Sequence, residues 1–225
     1  LVTIPQDASP IVQDMAGTLG AYLERLTGRD GSIETRDGFP DLRADTAELT
    51  VHLDGGPLGS DDDSFKIRIE SGGDAWTTLT LFADTTLGHQ YGVYEVLRQL
   101  GVRFYHPEEE FVPEISPRQL QLRARTRTVI ARGDTYQPDF ALRAFTFHNL
   151  HPLEHLESFS DAQHPIDEAR RVNEWMVKNR AGQFRGLGRG IADEDARNLR
   201  AQELASLKTQ LGMYGASGIT LHAQQ

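Results

Sequence analysis

Apolar and polar positions follow two different periods along this chain, and the switches between them outline its elements. Ile11, Met15, Leu19, Tyr22, Leu23 and Leu26 recur every three or four residues, the spacing that lines one face of an α-helix. Ser9 and Pro10 supply its start: a cap residue, then a proline at the first helical position, where a missing N–H costs nothing. Gly28 supplies its stop. Ahead of this helix, residues 1–5 read as a short strand. Leu49, Val51 and Leu53, then Phe65, Ile67 and Ile69, alternate with polar residues and predict two half-buried strands. Between them, residues 55–64 carry glycines, a proline and the run Asp61, Asp62, Asp63, the composition of an exposed loop. A third strand is predicted over 77–83. A helix follows over 88–100, with Val93, Tyr94, Leu97 and Leu100 on one face and Gly101 closing it. Residues 102–105 continue as a strand.

After a turn-rich stretch over 107–117, Leu120, Leu122, Ala124, Thr126, Thr128 and Ile130 alternate with Gln121, Arg123, Arg125 and Arg127, predicting a strand with one basic face. A first domain is expected to end there, at about residue 130. Beyond it, strand candidates over 140–147, 183–187 and 218–222 are separated by helix candidates over 165–180 and 193–211, an alternation that argues for parallel βαβ units. The fold class expected is therefore α/β, with an α+β domain of mixed sheet and helices over 1–130 followed by βα units over 131–225. Three strands and two helices do not close a barrel of eight, so the second unit is expected to be incomplete.

Composition narrows the chemistry. The 225 residues include no cysteine, which excludes a disulfide scaffold, a thiolate metal cage and a cysteine nucleophile. With 23 Lys+Arg against 33 Asp+Glu the formal charge is −10, which disfavours nucleic acid and anionic lipid as partners. A mean hydropathy of −0.46 and no apolar run near the roughly 20 residues of a membrane span argue against insertion in a bilayer.

A resemblance is carried by the run Ala83-Asp84-Thr85-Thr86-Leu87-Gly88-His89-Gln90-Tyr91-Gly92-Val93-Tyr94-Glu95-Val96-Leu97, by Leu100-Gly101-Val102-Arg103-Phe104-Tyr105-His106-Pro107, and by Val112-Pro113. Together with Tyr22-Leu23-Glu24-Arg25-Leu26-Thr27-Gly28, these residues resemble the small α/β domain that precedes the catalytic barrel in family 20 hexosaminidases, family 67 α-glucuronidases and their relatives. Pro138-Asp139-Phe140-Ala141-Leu142-Arg143 is similar to the entry of the first strand of a TIM-type barrel, with Ala144 where the family pattern has glycine. The segment 173–180 is similar to the first barrel helix. The resemblance implies a secreted or periplasmic glycoside hydrolase acting on oligo- or polysaccharide with no metal or cofactor. It also implies that the catalytic carboxylates lie on later strands, beyond Gln225. A glycosidase generally needs two carboxyl groups flanking the bond, about 5–9.5 Å apart according to mechanism.

Under that resemblance Arg143 is the first candidate for substrate binding, since a guanidinium at a barrel mouth offers a planar fork to sugar hydroxyls or a uronic carboxylate. His148 and His151, in a loop after the first strand, are candidates to hydrogen-bond a sugar. With His155 and Glu154 they suggest a metal site, but Pro152 breaks the helix that would align them. Asp61–63 lack the ligand spacing of a calcium loop and read as a solvated run. Gly186, Gly188 and Gly190 lack a complete dinucleotide or P-loop pattern and read as a βα loop. Asp193, Glu194 and Asp195 read as a helix start. Trp76, in an expected turn, is the better sugar-stacking candidate; Trp175 reads as helix packing.

Two other functions fit the same residues. One is a non-catalytic carbohydrate-binding or interaction module. The other is a metal-dependent hydrolase built on His148 and His151, which predicts stoichiometric zinc.

Overall fold

The computed structural model describes residues 1–29, 32–36, 49–53, 56–72, 75–126, 135–140, 142–146, 166–185 and 193–214. Among them the chain is α/β, with five helices and a mostly parallel six-stranded sheet. It divides into two compact units, Leu1–Tyr105 with Glu110–Asp139, and His106–Glu109 with Phe140–Gln225.

In the first unit, β1 (Val2–Pro5), β2 (Ile33–Arg36), β3 (Leu49–Leu53), β4 (Phe65–Ser71), β5 (Thr77–Ala83) and β8 (Thr135–Tyr136) form the sheet in the order β2-β1-β3-β5-β4-β8. β1, β2, β3 and β5 are parallel; β4 runs antiparallel to both β5 and β8. Register sorts the side chains by face. Val51 lies beside Val2 and Leu79, and Leu79 and Leu81 lie beside Ile69 and Ile67, giving an apolar face. The alternate positions give a polar row, Thr3, His52, Thr80 and Arg68, across four strands. β3 is buried along its whole length instead of on one face, because Thr50 and His52 are covered as well. Thr3 Oγ1 and His52 Nδ1, 2.9 Å apart, satisfy each other there, as buried polar groups must.

Helix α1 (Pro10–Thr27) begins at Pro10 and ends at Gly28, whose φ of +66° suits a residue without Cβ and whose N–H donates to Glu24 O at 2.7 Å. Its buried stripe runs Val12, Met15, Leu19, Leu23, Leu26, with Val12 in place of Ile11. Helix α2 (Thr86–Leu100) starts two residues earlier than its apolar pattern, because Thr85 caps it: Thr85 Oγ1 accepts from Gly88 N at 3.0 Å. The two helices pack together, and α2 lies on β5 so closely that a Cβ at Gly92 would come within 2.2 Å of Leu81 Cδ1. Leu19, Leu26, Leu79, Leu81, Leu97 and Leu100 are fully buried in this unit, each contributing about 1.5–3 kcal/mol by removal from water. β6 (Arg103–His106) and β7 (Glu109–Phe111) form a two-stranded sheet.

The strand expected from residue 120 is a helix, α3 (Pro117–Arg125). Its start is a capping box: Ser116 Oγ accepts from Gln119 N and Gln119 Oε1 accepts from Ser116 N, with Pro117 at the first helical position. This local chemistry outweighs the alternating pattern. Leu120 and Ala124, one turn apart, face inward with Gln121, while Leu122 is 52% exposed.

In the second unit, β9 (Ala144–Thr146) and β10 (Gln183–Arg185) are parallel neighbours in direct register, with α4 (Ile166–Lys178) between them in sequence and α5 (Glu194–Gln210) after them. This is the expected βαβ arrangement, with shorter strands. Ala169 of α4 packs with Leu204 and Leu207 of α5, flanked by Ile166, Ala196, Ala201 and Leu211. The third strand expected, over 218–222, lies outside the described residues. No helix of the described residues is long and apolar enough to cross a membrane.

Candidate functional site

The parallel pair β9–β10 is where an α/β fold would position chemistry, at the carboxyl ends of its strands. The segments following both strands, with His148, His151, His155, Gly186, Gly188 and Gly190, lie outside the described residues. Arg143 is described. It immediately precedes Ala144, the first residue of β9, and so stands at the amino end of the strand, opposite to the end at which barrels bind substrate. There its guanidinium is a main-chain clamp: Nε donates to Arg180 O at 2.9 Å and Nη1 to Phe140 O at 2.6 Å. Arg143 O accepts from Gly182 N at 3.0 Å and Gln183 N at 3.1 Å, so both ends of the residue fasten the start of β9 to the α4–β10 turn. Arg180 adopts a left-handed φ of +62°, unusual for a side-chain-bearing residue, and from it presents the carbonyl that Arg143 holds.

The ionisable residues of α4 and α5 are set by burial. Glu174 has its carboxyl raised by desolvation, opposed by Lys178 and Arg170. Lys208, one turn beyond Leu204 and 4% exposed, has its amine pushed down to about 8 by desolvation. An amine that titrates there can act as a base near neutral pH, yet the burial that lowers it also keeps bulk substrate away. Asp193 caps α5, its Oδ1 accepting from Ala196 N at 2.8 Å, and Glu194 and Asp195 occupy the first turn, as their position before a helix suggested. Among the described residues no group of three or more His, Asp or Glu is arranged to hold a metal.

In the first unit Asp61 of the acidic run is exposed, as a solvated run would be, whereas Asp62 and Asp63 are built into the fold. Asp63 is 3% exposed and accepts from Thr85 Oγ1 at 3.1 Å. Asp62 accepts from Ser60 Oγ at 2.6 Å and Ser64 N at 2.8 Å; its serine hydrogen bonds lower its carboxyl. Asp84 takes Leu58 N and Ser60 N, so three carboxylates fold the 58–64 loop onto the start of α2. Trp76 is half-buried with its indole over Gly72, where a Cβ would meet Nε1 at 2.3 Å; it packs a turn and does not stand clear as a stacking platform. Trp175 is half-buried on α4.

The pattern of apolar positions did not reveal the tie between Tyr22, Arg25 and Glu110. Glu110 accepts from the Tyr22 hydroxyl and from the Arg25 guanidinium, which also lies over the Tyr22 ring, 5.0 Å from its centroid. Burial, then the bond to Glu110, raises the Tyr22 phenol, and the same carboxylate raises Arg25. The only sequence signal was Arg25 three residues after Tyr22, one turn along α1. No known family model matches the chain, and no curated protein sequence matches it.

Proposed function

We propose that this chain is the N-terminal portion of a carbohydrate-active glycoside hydrolase, its first unit a non-catalytic support and β9-α4-β10-α5 the opening of a (β/α)8 barrel. The observation that carries this reading is the pairing of β9 with β10: consecutive strands, parallel, adjacent and in register, each followed in sequence by a helix. The sequence resemblance through residues 83–113 and 138–143 supports the same architecture. In this reading His148 and His151, which follow β9 in the sequence, offer imidazole hydrogen bonds to sugar hydroxyls at the carboxyl end of the strand. Arg143 acts as a positioning residue, fixing the start of β9 through the carbonyls of Phe140 and Arg180. The acid and base carboxylates are supplied by strands C-terminal to Gln225, and the protein works in a secreted or periplasmic setting on oligo- or polysaccharide.

The test is turnover of a panel of aryl glycosides by the polypeptide that the coding sequence specifies through and beyond Gln225, beside the 225-residue chain. Hydrolysis by the longer protein and none by the shorter is the expected result. Inactivity of both, with sugar bound by the shorter, would replace this reading with a binding module. Turnover by the shorter alone, or its loss to a chelator, would replace it with a self-contained hydrolase.

A further inference from the structure

We infer that the outer face of the β6–β7 ribbon is a binding platform for a neutral glycan, with Tyr105 and Phe111 as the rings on which pyranose faces stack. Side chains alternate across a strand, and contacts fix which set points inward. Phe104 lies edge-on to Tyr22 and to Tyr94, with ring centroids 6.0 and 5.5 Å away, and under the Arg98 guanidinium. Glu110 accepts from the same Tyr22 and from Arg25. Arg103 and Tyr105 on β6 and Phe111 on β7 therefore stand on the opposite face. Exposure agrees, at 62% for Tyr105 and 52% for Phe111. Among the described residues neither side chain makes a hydrogen bond or a ring contact. Because the inner face is tied to α1 and α2, the two rings sit on a fixed support, and a ligand meeting them costs little conformational entropy.

Chemistry and size select the occupant. The negative face of an aromatic ring attracts the C–H-lined face of a pyranose. On neighbouring strands the two rings are about 5–8 Å apart, close enough to serve one sugar chain. Arg103, also exposed, is pinned by Nη1 donating to Arg98 O and Val102 O at 2.8 Å each, which holds its remaining N–H groups next to Tyr105 as donors for hydroxyls. A polyanion is disfavoured, since Glu108 and Glu109 are exposed in the same ribbon on a chain of formal charge −10. A protein partner is disfavoured by area: strands of four and three residues fall far short of the roughly 20–30 residues a side of a stable interface. That the neutral ligand is a glycan rests on the function proposed above.

The experiment is affinity electrophoresis of the 225-residue chain, and of the polypeptide extended past Gln225, in gels holding hydroxyethyl cellulose, galactomannan or polygalacturonate. Retardation by a neutral glycan is expected, unchanged between about 50 and 500 mM salt because no charge pair carries it. Tyr105→Ala and Phe111→Ala should each weaken it about fivefold, the order of one aromatic contact, and together abolish it while melting like the parent. Leu199→Ala, at an exposed apolar side chain of α5, should leave it unchanged. Tyr105→Trp, which enlarges the ring, should bind at least as tightly as the parent, and weaker binding would overturn the inference whatever the alanine variants do to folding. So would no retardation by either neutral glycan, retardation undiminished in the double variant, equal loss in Leu199→Ala, or stronger retardation by polygalacturonate. Binding by the shorter chain that vanishes in the longer one would overturn it too, by showing that the rest of the polypeptide covers this face. Glycoside turnover is read separately, so failure here leaves the proposed reaction standing, and failure of the reaction leaves this binding measurable.

Discussion

The two units are held together by opposite means. The first has a continuous apolar layer between sheet and helices, and its polar side chains tie loops to that layer: Asp84 and Asp63 at the start of α2, Glu110 on α1. The described part of the second has a smaller apolar core, Ala169, Val172, Met176, Val177, Leu204, Leu207 and Met213, a guanidinium that grips main-chain carbonyls, and two buried cations on the same helix, Arg200, paired with Glu203, and Lys208. A large core tolerates the loss of a tie. A small one depends on each tie it has and is taxed by each charge it buries.

Substitutions sharpen this contrast. Leu81→Ala, at a fully buried side chain, is expected to destabilise the first unit by about 2–5 kcal/mol, the largest effect of the set, measured by urea unfolding. Arg143→Ala strips two charge-assisted hydrogen bonds and should cost about 2–3 kcal/mol, with hydrogen exchange rising in β9, β10 and α4 and not in the first unit. Equal acceleration in both units would show that Arg143 is not a local tie of the second unit.

Lys208→Met should act in the other direction. The amine is depressed to about 8 from its ordinary 10.5, so between those values the unfolded chain holds a proton that the folded chain has released. Stability of the second unit therefore rises with pH across that window, and below pH 8 the folded state bears the desolvation of a charged amine. The methionine variant should be more stable at pH 7 by roughly 2 kcal/mol and lose the rise toward pH 10.5, read as urea midpoints at the two pH values. A parent midpoint that falls over this range would contradict the assignment.

Glu110→Gln keeps an acceptor for Tyr22 but removes the charge facing Arg25, and about 1 kcal/mol is expected. Smallest is Arg68→Ala: its pair with Glu70 is exposed on a strand, and the melting temperature should not move measurably.

Much of this architecture can be read from residues that act locally. Pro10 and Gly28 bound α1, Gly101 closes α2, and β5 occupies the predicted 77–83 because short-range pattern and burial agree there. Where two local rules compete, the pattern misleads: Leu120, Leu122 and Ala124 alternate like a strand, but Ser116, Pro117 and Gln119 nucleate a helix. β2, whose residues Ile33, Glu34 and Thr35 are all exposed, carries no burial pattern to detect. His52 and Asp63 look like solvent positions by type, and only the packing around them shows otherwise. Of the substrate candidates, Arg143 could be placed near a strand end but not at which end, since strand direction and length come from pairing with β10. Lys208 had a usable signal: it stands four residues after Leu204 on the buried face of α5.

In the function proposed above, β9 and β10 begin a barrel whose later strands hold the reacting carboxylates. The most direct measurement is a crystal structure of the polypeptide extended past Gln225 with a bound sugar. Further parallel strands continuing from β10 and closing on β9 are expected, with two carboxyl groups about 5–9.5 Å apart at their carboxyl ends. A β9–β10 pair that ends in a closed, two-stranded unit, with the sugar elsewhere, would contradict it.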